Sequence, residues 1–254
     1  MSALSENSRK PLTLSTKDWN DDSINNITYS EIKSFGTAGA RSMFVNYDNK
    51  PWALQTPKMR LPYGLSKFQE PGKPPKYNID LSFVGMDENP KLKKFFDILQ
   101  SIDEKIVSDC QKKENSLNWM KKKTISEDVV RTLYTTSIKR AKDKETGEFT
   151  DKYPPTFKAK MNYWEGVFRD GGKDVVVYDH NGEKIENNDE SYEQALAKGQ
   201  NCKAIVKCGG VWFSGGKFGV TWKVALVKVD EPRGFTGYAF RDDGSSDEEV
   251  DDSD

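Results

Sequence analysis

The chain has 254 residues, 31% of them charged and 35% hydrophobic, with a mean hydropathy of −0.79 and a formal charge of −1. That length holds one large domain or two small ones, and the low apolar fraction argues against an enzyme built around a deep core. No run approaches the roughly 20 apolar residues that cross a bilayer, MSALSENSRKPL lacks the apolar segment of a signal peptide, and Cys110, Cys202 and Cys208 form an odd set without C-x-x-C spacing.

The expected protein is therefore intracellular, with no membrane segment, no disulfide framework and no zinc site. Residues 1–22 are polar and read as a flexible N-terminal arm. From Asn25 the stretches NITYSEIKSF, RSMFVNYD, PWALQTPKMRLPYG and KYNIDLSFVGM favour strands, being rich in β-branched and aromatic residues between Gly and Pro breaks. Gln69 to Lys76, QEPGKPPK, reads as a flexible exposed loop.

A helix is predicted next. Asn89 caps it, Pro90 suits its first turn, and Leu92, Phe95, Phe96, Leu99, Ile102 and Ile106 repeat at spacings of three and four. That stripe reads as a helix covering a sheet. A shorter helix begins at Ser126, with Val129, Val130 and Leu133 on its apolar side.

Strands return after Thr136, with AKDKETGEFTDKYPP as a charged loop. In TFKAKMNYW, Phe157, Ala159, Met161 and Tyr163 alternate with Lys158, Lys160 and Asn162. KDVVVYD, the turn HNG and EKIE read as a hairpin, and SYEQALAKG as a short helix stopped by glycine. KAIVKC, GGVWFSGGKFG and VTWKVALVKVDEP complete the strands. This β-rich α+β order, with many short strands and inserted helices, suits a small barrel or sandwich.

The acids are not evenly spread. Arg241 to Asp254 carries eight carboxylates (Asp242, Asp243, Asp247, Glu248, Glu249, Asp251, Asp252 and Asp254) and one arginine. Without this stretch the formal charge moves from −1 to +6. A segment so charged and so poor in apolar residues is expected to be disordered, and residues 237–254 are assigned to an acidic tail. The basic body, residues 23–236, calls for an anionic partner.

Catalytic signatures are absent. His180 is the only histidine and sits in the turn DHNG; there is no Walker loop, no Rossmann fingerprint, no H-E-x-x-H and no G-x-S-x-G. Asp80, or Asp174 with Asp179, could serve a metal nuclease, but carboxylates are abundant here. No cofactor or metal and no enzymatic activity are expected. What recurs is cations beside rings. TPKMRLPYGLSKF groups Lys58, Arg60, Tyr63, Lys67 and Phe68; TFKAKMNYW sets Lys158 and Lys160 beside Phe157, Tyr163 and Trp164; VWFSGGKFGVTWK sets Trp212, Phe213, Lys217, Phe218, Trp222 and Lys223 around a Gly-Gly turn. Lysine and arginine neutralise phosphates without reading sequence, and ring faces stack on unpaired bases. Alternation favours the core for Phe157, Met161 and Trp222, leaving Lys158, Lys160 and Lys223 towards a ligand. Trp212 and Phe213, on opposite faces of a strand, form the leading stacking pair.

TPKMRLPYGLSKF, then KYNIDLSF, a helix, YPPTFKAKM and GVTWKVALVKV resemble the single-stranded DNA-binding proteins of nucleocytoplasmic large DNA viruses, which are similar to those of short-tailed phages. The resemblance covers roughly residues 42–254. It implies an OB-fold, a five-stranded Greek-key barrel, with inserted helices and an acidic C-terminal tail. It implies coating of unpaired DNA in replication, repair and recombination, tail contacts with replication proteins such as DNA polymerase or helicase/primase, often a homodimer, and a place in the host nucleus or a cytoplasmic viral replication site. Lys58 and Arg60 carry over from the PKMR stretch. The phage tail finishes on an aromatic ring, whereas this chain finishes on Asp254. The expected nucleic-acid contacts are Lys58, Arg60, Tyr63, Lys67, Lys158, Lys160, Trp212, Phe213, Lys217 and Lys223. The competing expectations are an acidic-tailed chaperone for basic clients and a metal-dependent nuclease.

Overall fold

The computed structural model describes residues 12–35, 39–143 and 145–231. The chain first lays down β1 (Leu12–Leu14), β2 (Ile27–Tyr29), β3 (Lys33–Phe35), β4 (Ala40–Met43), β5 (Val45–Tyr47), β6 (Trp52–Gln55), β7 (Met59–Arg60), β8 (Leu65–Phe68) and β9 (Lys76–Ser82). Three helices follow: α1 (Pro90–Gln111), α2 (Lys113–Met120) and α3 (Glu127–Leu133). Then come β10 (Tyr134–Thr135), β11 (Ile138–Lys139), β12 (Thr156–Met161), β13 (Tyr163–Trp164), β14 (Val167–Asp170), β15 (Lys173–Asp174), β16 (Val176–Tyr178), α4 (Asp189–Ala195), β17 (Asn201–Ser214) and β18 (Lys217–Val229). The fold is thus strand-rich α+β, built on one large mixed sheet.

Five strands of that sheet pair in a ring: β17 with β7, β7 with β9, β9 with β12, β12 with β18, and β18 back to β17. The β12–β18 pair is parallel, and the other four are antiparallel. Inside it lie alternate residues of each strand, including Tyr77, Ile79 and Leu81 of β9, Phe157, Ala159 and Met161 of β12, and Trp222 and Val224 of β18, all buried. Period-two patterning does this: one face of each strand is apolar, and pairing in register gathers those faces.

α1 buries the predicted stripe Leu92, Phe95, Phe96, Leu99, Ile102 and Ile106, and Asn89 Oδ1 accepts from the amides of Lys91 (3.1 Å) and Leu92 (3.4 Å), as a helix cap should. Phe95 meets Phe157 edge-on at 5.7 Å, Phe157 meets Trp222 at 5.7 Å, and Trp222 meets Trp52 at 5.8 Å. Rings therefore run in contact from the helix through the core that the five paired strands enclose.

The series ends in the segment expected to be a loose arm. Trp19 is 6% exposed and stacks on Trp52 at 5.9 Å, while Leu12–Leu14 pairs in parallel with Trp52–Leu54. The arm reading is thus corrected from residue 12 onward: Leu14 and Trp19 are buried, and that apolar surface together with the β1–β6 pairing fixes a polar segment. Residues 1–11 lie outside the described residues, as does the acidic tail.

β17 changes neighbours along its length, pairing in turn with β7, β6 and β4. The switch uses a bulge at Gly209–Gly210. Gly210 has φ +104°, and a Cβ there would fall 2.2 Å from the Met43 carbonyl oxygen, so only glycine lets β4 approach.

Candidate nucleic-acid interface

The outward positions of β9 and β12 form the floor of a long groove. Lys158 stands opposite Asp80, and Lys160 opposite Asn78. β11 adds Lys139 beside them, because Lys139 pairs with Thr156 at the head of β12. The β8–β9 hairpin raises one wall, bringing Lys67, Phe68, Lys73 and Lys76; β13 and β14 raise another, bringing Trp164 and Arg169. The groove encloses about 1040 Å³ and is lined by seven cations, Lys67, Lys73, Lys76, Lys139, Lys158, Lys160 and Arg169; among the described residues no carboxylate lines it, Asp80 lying buried beneath Lys158.

These cations are crowded. Lys158 reaches Asp80 at 3.7 Å, and burial raises the Asp80 carboxyl against the pull of Lys158 and Lys139. Lys139 and Lys160 have no ion-pair partner among the described residues. Desolvation in the groove, then the like charge of Lys158, pushes the Lys139 ammonium below its ordinary value. Desolvation, then Lys223 and Lys76, does the same to Lys160. Partly dehydrated like charges raise the free energy of the empty groove, and an anion laid among them relieves that repulsion.

Rings interleave with the cations. Phe68 is 61% exposed and Trp164 63% exposed. Phe68 stands opposite Lys76 across the β8–β9 hairpin, and the Lys67 ammonium lies 5.5 Å from the Tyr77 ring centre. Trp212 is half-buried and faces Gly219 across the β17–β18 ladder. A Cβ on Gly219 would come 3.3 Å from the Trp212 ring and 2.7 Å from the Thr135 carbonyl oxygen. The missing side chain thus admits both the indole and β10.

The strip carrying Lys139 is clamped from below by α1. Asp103 accepts from Tyr134 Oη (2.6 Å), the Ser137 amide (2.8 Å) and Ser137 Oγ (2.7 Å), and Ser137 Oγ accepts from Trp222 Nε1 (3.0 Å). Burial pushes the Asp103 carboxyl up to about 6, even though these donors favour its ionised form.

Of the expected contacts, Lys67, Lys158, Lys160 and Trp212 line this groove. Lys223 adjoins it, opposite Lys160. Lys58 is tied to Asp230 at 2.5 Å, outside the lining. Arg60, Tyr63 and Lys217 are exposed but also outside it. Phe213 is corrected: at 5% exposure it stacks on Phe218 at 5.8 Å, with the Arg41 guanidinium 5.2 Å from its ring centre, so it belongs to the core. Phe68, Lys73, Lys76, Lys139, Trp164 and Arg169 were not among the expected contacts. Phe68 and Trp164 had a signal, each lying beside lysines in TPKMRLPYGLSKF and TFKAKMNYW; Lys73 and Lys76 were hidden in a segment that reads only as a loop. Among the described residues no group of three or more His, Cys, Asp or Glu side chains is placed to hold a metal ion, and no helix is long and apolar enough to cross a membrane.

Residues 81–242 match the Family of unknown function (DUF5871), and the chain belongs to that family. No curated protein matches it. Among solved structures it is similar to a single-stranded DNA-binding protein from bacteriophage Enc34 in complex with ssDNA, at 15% identity and TM-score 0.43, covering 80% of this chain and 98% of that one. It is also similar to a single-stranded DNA-binding protein encoded by bacteriophage T7, at 15% identity and TM-score 0.42, covering 75% and 97%. At this level of likeness, only the groove's own residues bear on function.

Proposed function

We propose that the chain binds single-stranded DNA along the groove, with little sequence preference and without catalysis. The carrying observation is the lining itself: seven cations, of which five are balanced by carboxylates around them and Lys139 and Lys160 have no ion-pair partner among the described residues, with two large rings left in water at Phe68 and Trp164. Lysines and arginines neutralise any phosphate chain, and exposed rings stack on any unpaired base. A duplex keeps its bases stacked inside, so it has nothing to offer Phe68 or Trp164. The ring of five strands fits an OB-fold barrel, a scaffold suited to an extended strand across its face.

The setting we assign is replication, repair and recombination of viral DNA, following the resemblance in TPKMRLPYGLSKF and YPPTFKAKM. The acidic tail is assigned two roles there: a tethered polyanion that competes for the groove, and a contact for replication proteins once DNA displaces it. Tethering gives such a competitor an effective concentration reaching the millimolar range. Competition between labelled single-stranded oligo-dT and unlabelled duplex of equal length tests the reading. The single strand should win, with quenching of tryptophan fluorescence from Trp164; equal competition by duplex without quenching would overturn it.

A further inference from the structure

Lys160, Lys223 and Lys207 stand abreast on three neighbouring strands. The register sets Lys160 of β12 opposite Lys223 of β18, and Lys223 opposite Lys207 of β17. Adjacent strands lie about 4.8 Å apart, and like charges facing each other at that spacing destabilise a sheet. One carboxylate holds two of the three. Asp170 pairs with Lys207 and, at 3.0 Å, with Lys223, and accepts a further bond from Asn162 Nδ2 at 2.8 Å. Burial works against its ionisation, yet the two ammoniums hold its carboxyl below the ordinary value.

Asp170 does not come from the barrel. It sits on β14, in a three-stranded flap (β13, β14, β15) whose sheet is separate from the large one. The flap is rooted at Phe168, whose amide donates to Asn187 Oδ1 (2.8 Å) and whose carbonyl accepts from Asn187 Nδ2 (3.0 Å). Past Asp170 the chain turns through Gly171 and Gly172, at φ +60° and +78°. A carboxylate is therefore delivered from outside onto a cation row of the barrel. Its two oxygens meet two ammoniums, as the two non-bridging oxygens of a phosphodiester would.

We infer that Lys160, Lys223 and Lys207 form a phosphate subsite continuous with the groove through Lys160, and that Asp170 occupies it in the free chain. The inference rests on the single-strand reading above and names where one more backbone phosphate goes. When a strand arrives, its phosphate replaces the carboxylate and Asp170 turns to solvent. Exchange of one anion for another releases few counterions, so in the native chain Lys207 and Lys223, the two lysines that Asp170 holds, contribute little to the salt dependence.

Asp170→Asn bares the row while keeping the side chain's size. In the full chain, titration of oligo-dT at several salt concentrations should then give tighter binding at low salt. The plot of log affinity against log salt should steepen by roughly 0.7 for each lysine freed, about a 2.5-fold larger loss per lysine between 50 and 200 mM salt. An unchanged slope in the folded variant overturns the subsite. Should Asp170→Asn fail to fold, Lys207→Gln decides instead: the subsite requires weaker binding with a little-changed salt slope, since Lys207 is already paired with Asp170 in the free chain, and unaltered affinity overturns it. If the native chain forms no complex even at low salt, the single-strand reading falls and the subsite with it. If the native chain binds and the deciding variant matches it, the subsite alone falls.

Discussion

Phe68 and Trp164 both line the groove and hold their rings in water. Little of the fold rests on them, so their role can be separated from stability. Phe68→Ala and Trp164→Ala should each weaken oligo-dT binding by about 1–3 kcal/mol and leave the thermal midpoint unmoved. Phe213→Ala should do the reverse, costing about 3–5 kcal/mol of stability with binding by the folded chain intact. Titration and thermal unfolding of the three variants check the contrast; equal binding by the two exposed-ring variants would argue against stacking. Sequence alternation says that Trp212 and Phe213 take opposite faces, but not which one is buried. That is decided by long-range neighbours, the Arg41 guanidinium and the Trp119 ring that cover Phe213.

Asp103 carries a pH prediction at the same scale. Its folded value of about 6 lies above the ordinary 3.8, chiefly through burial. Between those values the folded chain holds a proton that the unfolded chain has lost, so this group's contribution to stability is full below about pH 4 and falls away as pH rises through 6. The change is on the order of 3 kcal/mol. Denaturant unfolding of the native chain and Asp103→Asn from pH 4 to 7 should show the native chain losing ground to the variant as pH rises; a constant gap contradicts the account.

At the scale of elements, α1 was legible because its whole signal is local: a cap, a proline and a stripe at helical spacing. Asn89→Ala should cost about 1 kcal/mol in denaturant unfolding without altering oligonucleotide affinity; no loss of stability would remove the cap from the account. α2 (Lys113–Met120) had no comparable stripe, with only Ser116 and Trp119 buried, and went unread. The hairpin expected around HNG is half right. The turn forms, with the Glu183 amide donating to Asp179 Oδ1 at 2.7 Å, but the return strand shrinks to a single bridge, Tyr178 to Lys184. β16 takes its ladder from β18 instead. The groove itself joins positions far apart in sequence, from Lys67 to Trp222, and no local pattern could assemble it.

For the whole molecule, the charge division was visible in the sequence; the residue pattern left barrel and sandwich open, and only the resemblance implied five closing strands. Closure depends on pairs such as Asn201 with Arg60 and Lys160 with Lys223, which only the folded chain brings together. The cations were readable as types but not as a constellation: Lys58 and Arg60, carried by the most distinctive motif, fall outside the groove, while Lys139 falls inside. Removing residues 241–254 takes eight carboxylates from the chain. If the tail competes for the groove, the truncated chain should bind oligo-dT several-fold more tightly at low salt, and the two chains should converge as salt screens the competition. Equal affinity at low salt would leave the tail without that role.

An unpaired strand bound as proposed lies along the cations of β11 and β12. Titration of fluorescent oligo-dT at several salt concentrations, with the native chain and with Lys139→Gln/Lys160→Gln, tests it most directly. The native chain should form a salt-sensitive complex, and the double variant should bind more weakly with a salt slope shallower by about 1.4. No complex at low ionic strength, or identical affinity and slope for both proteins, would contradict it.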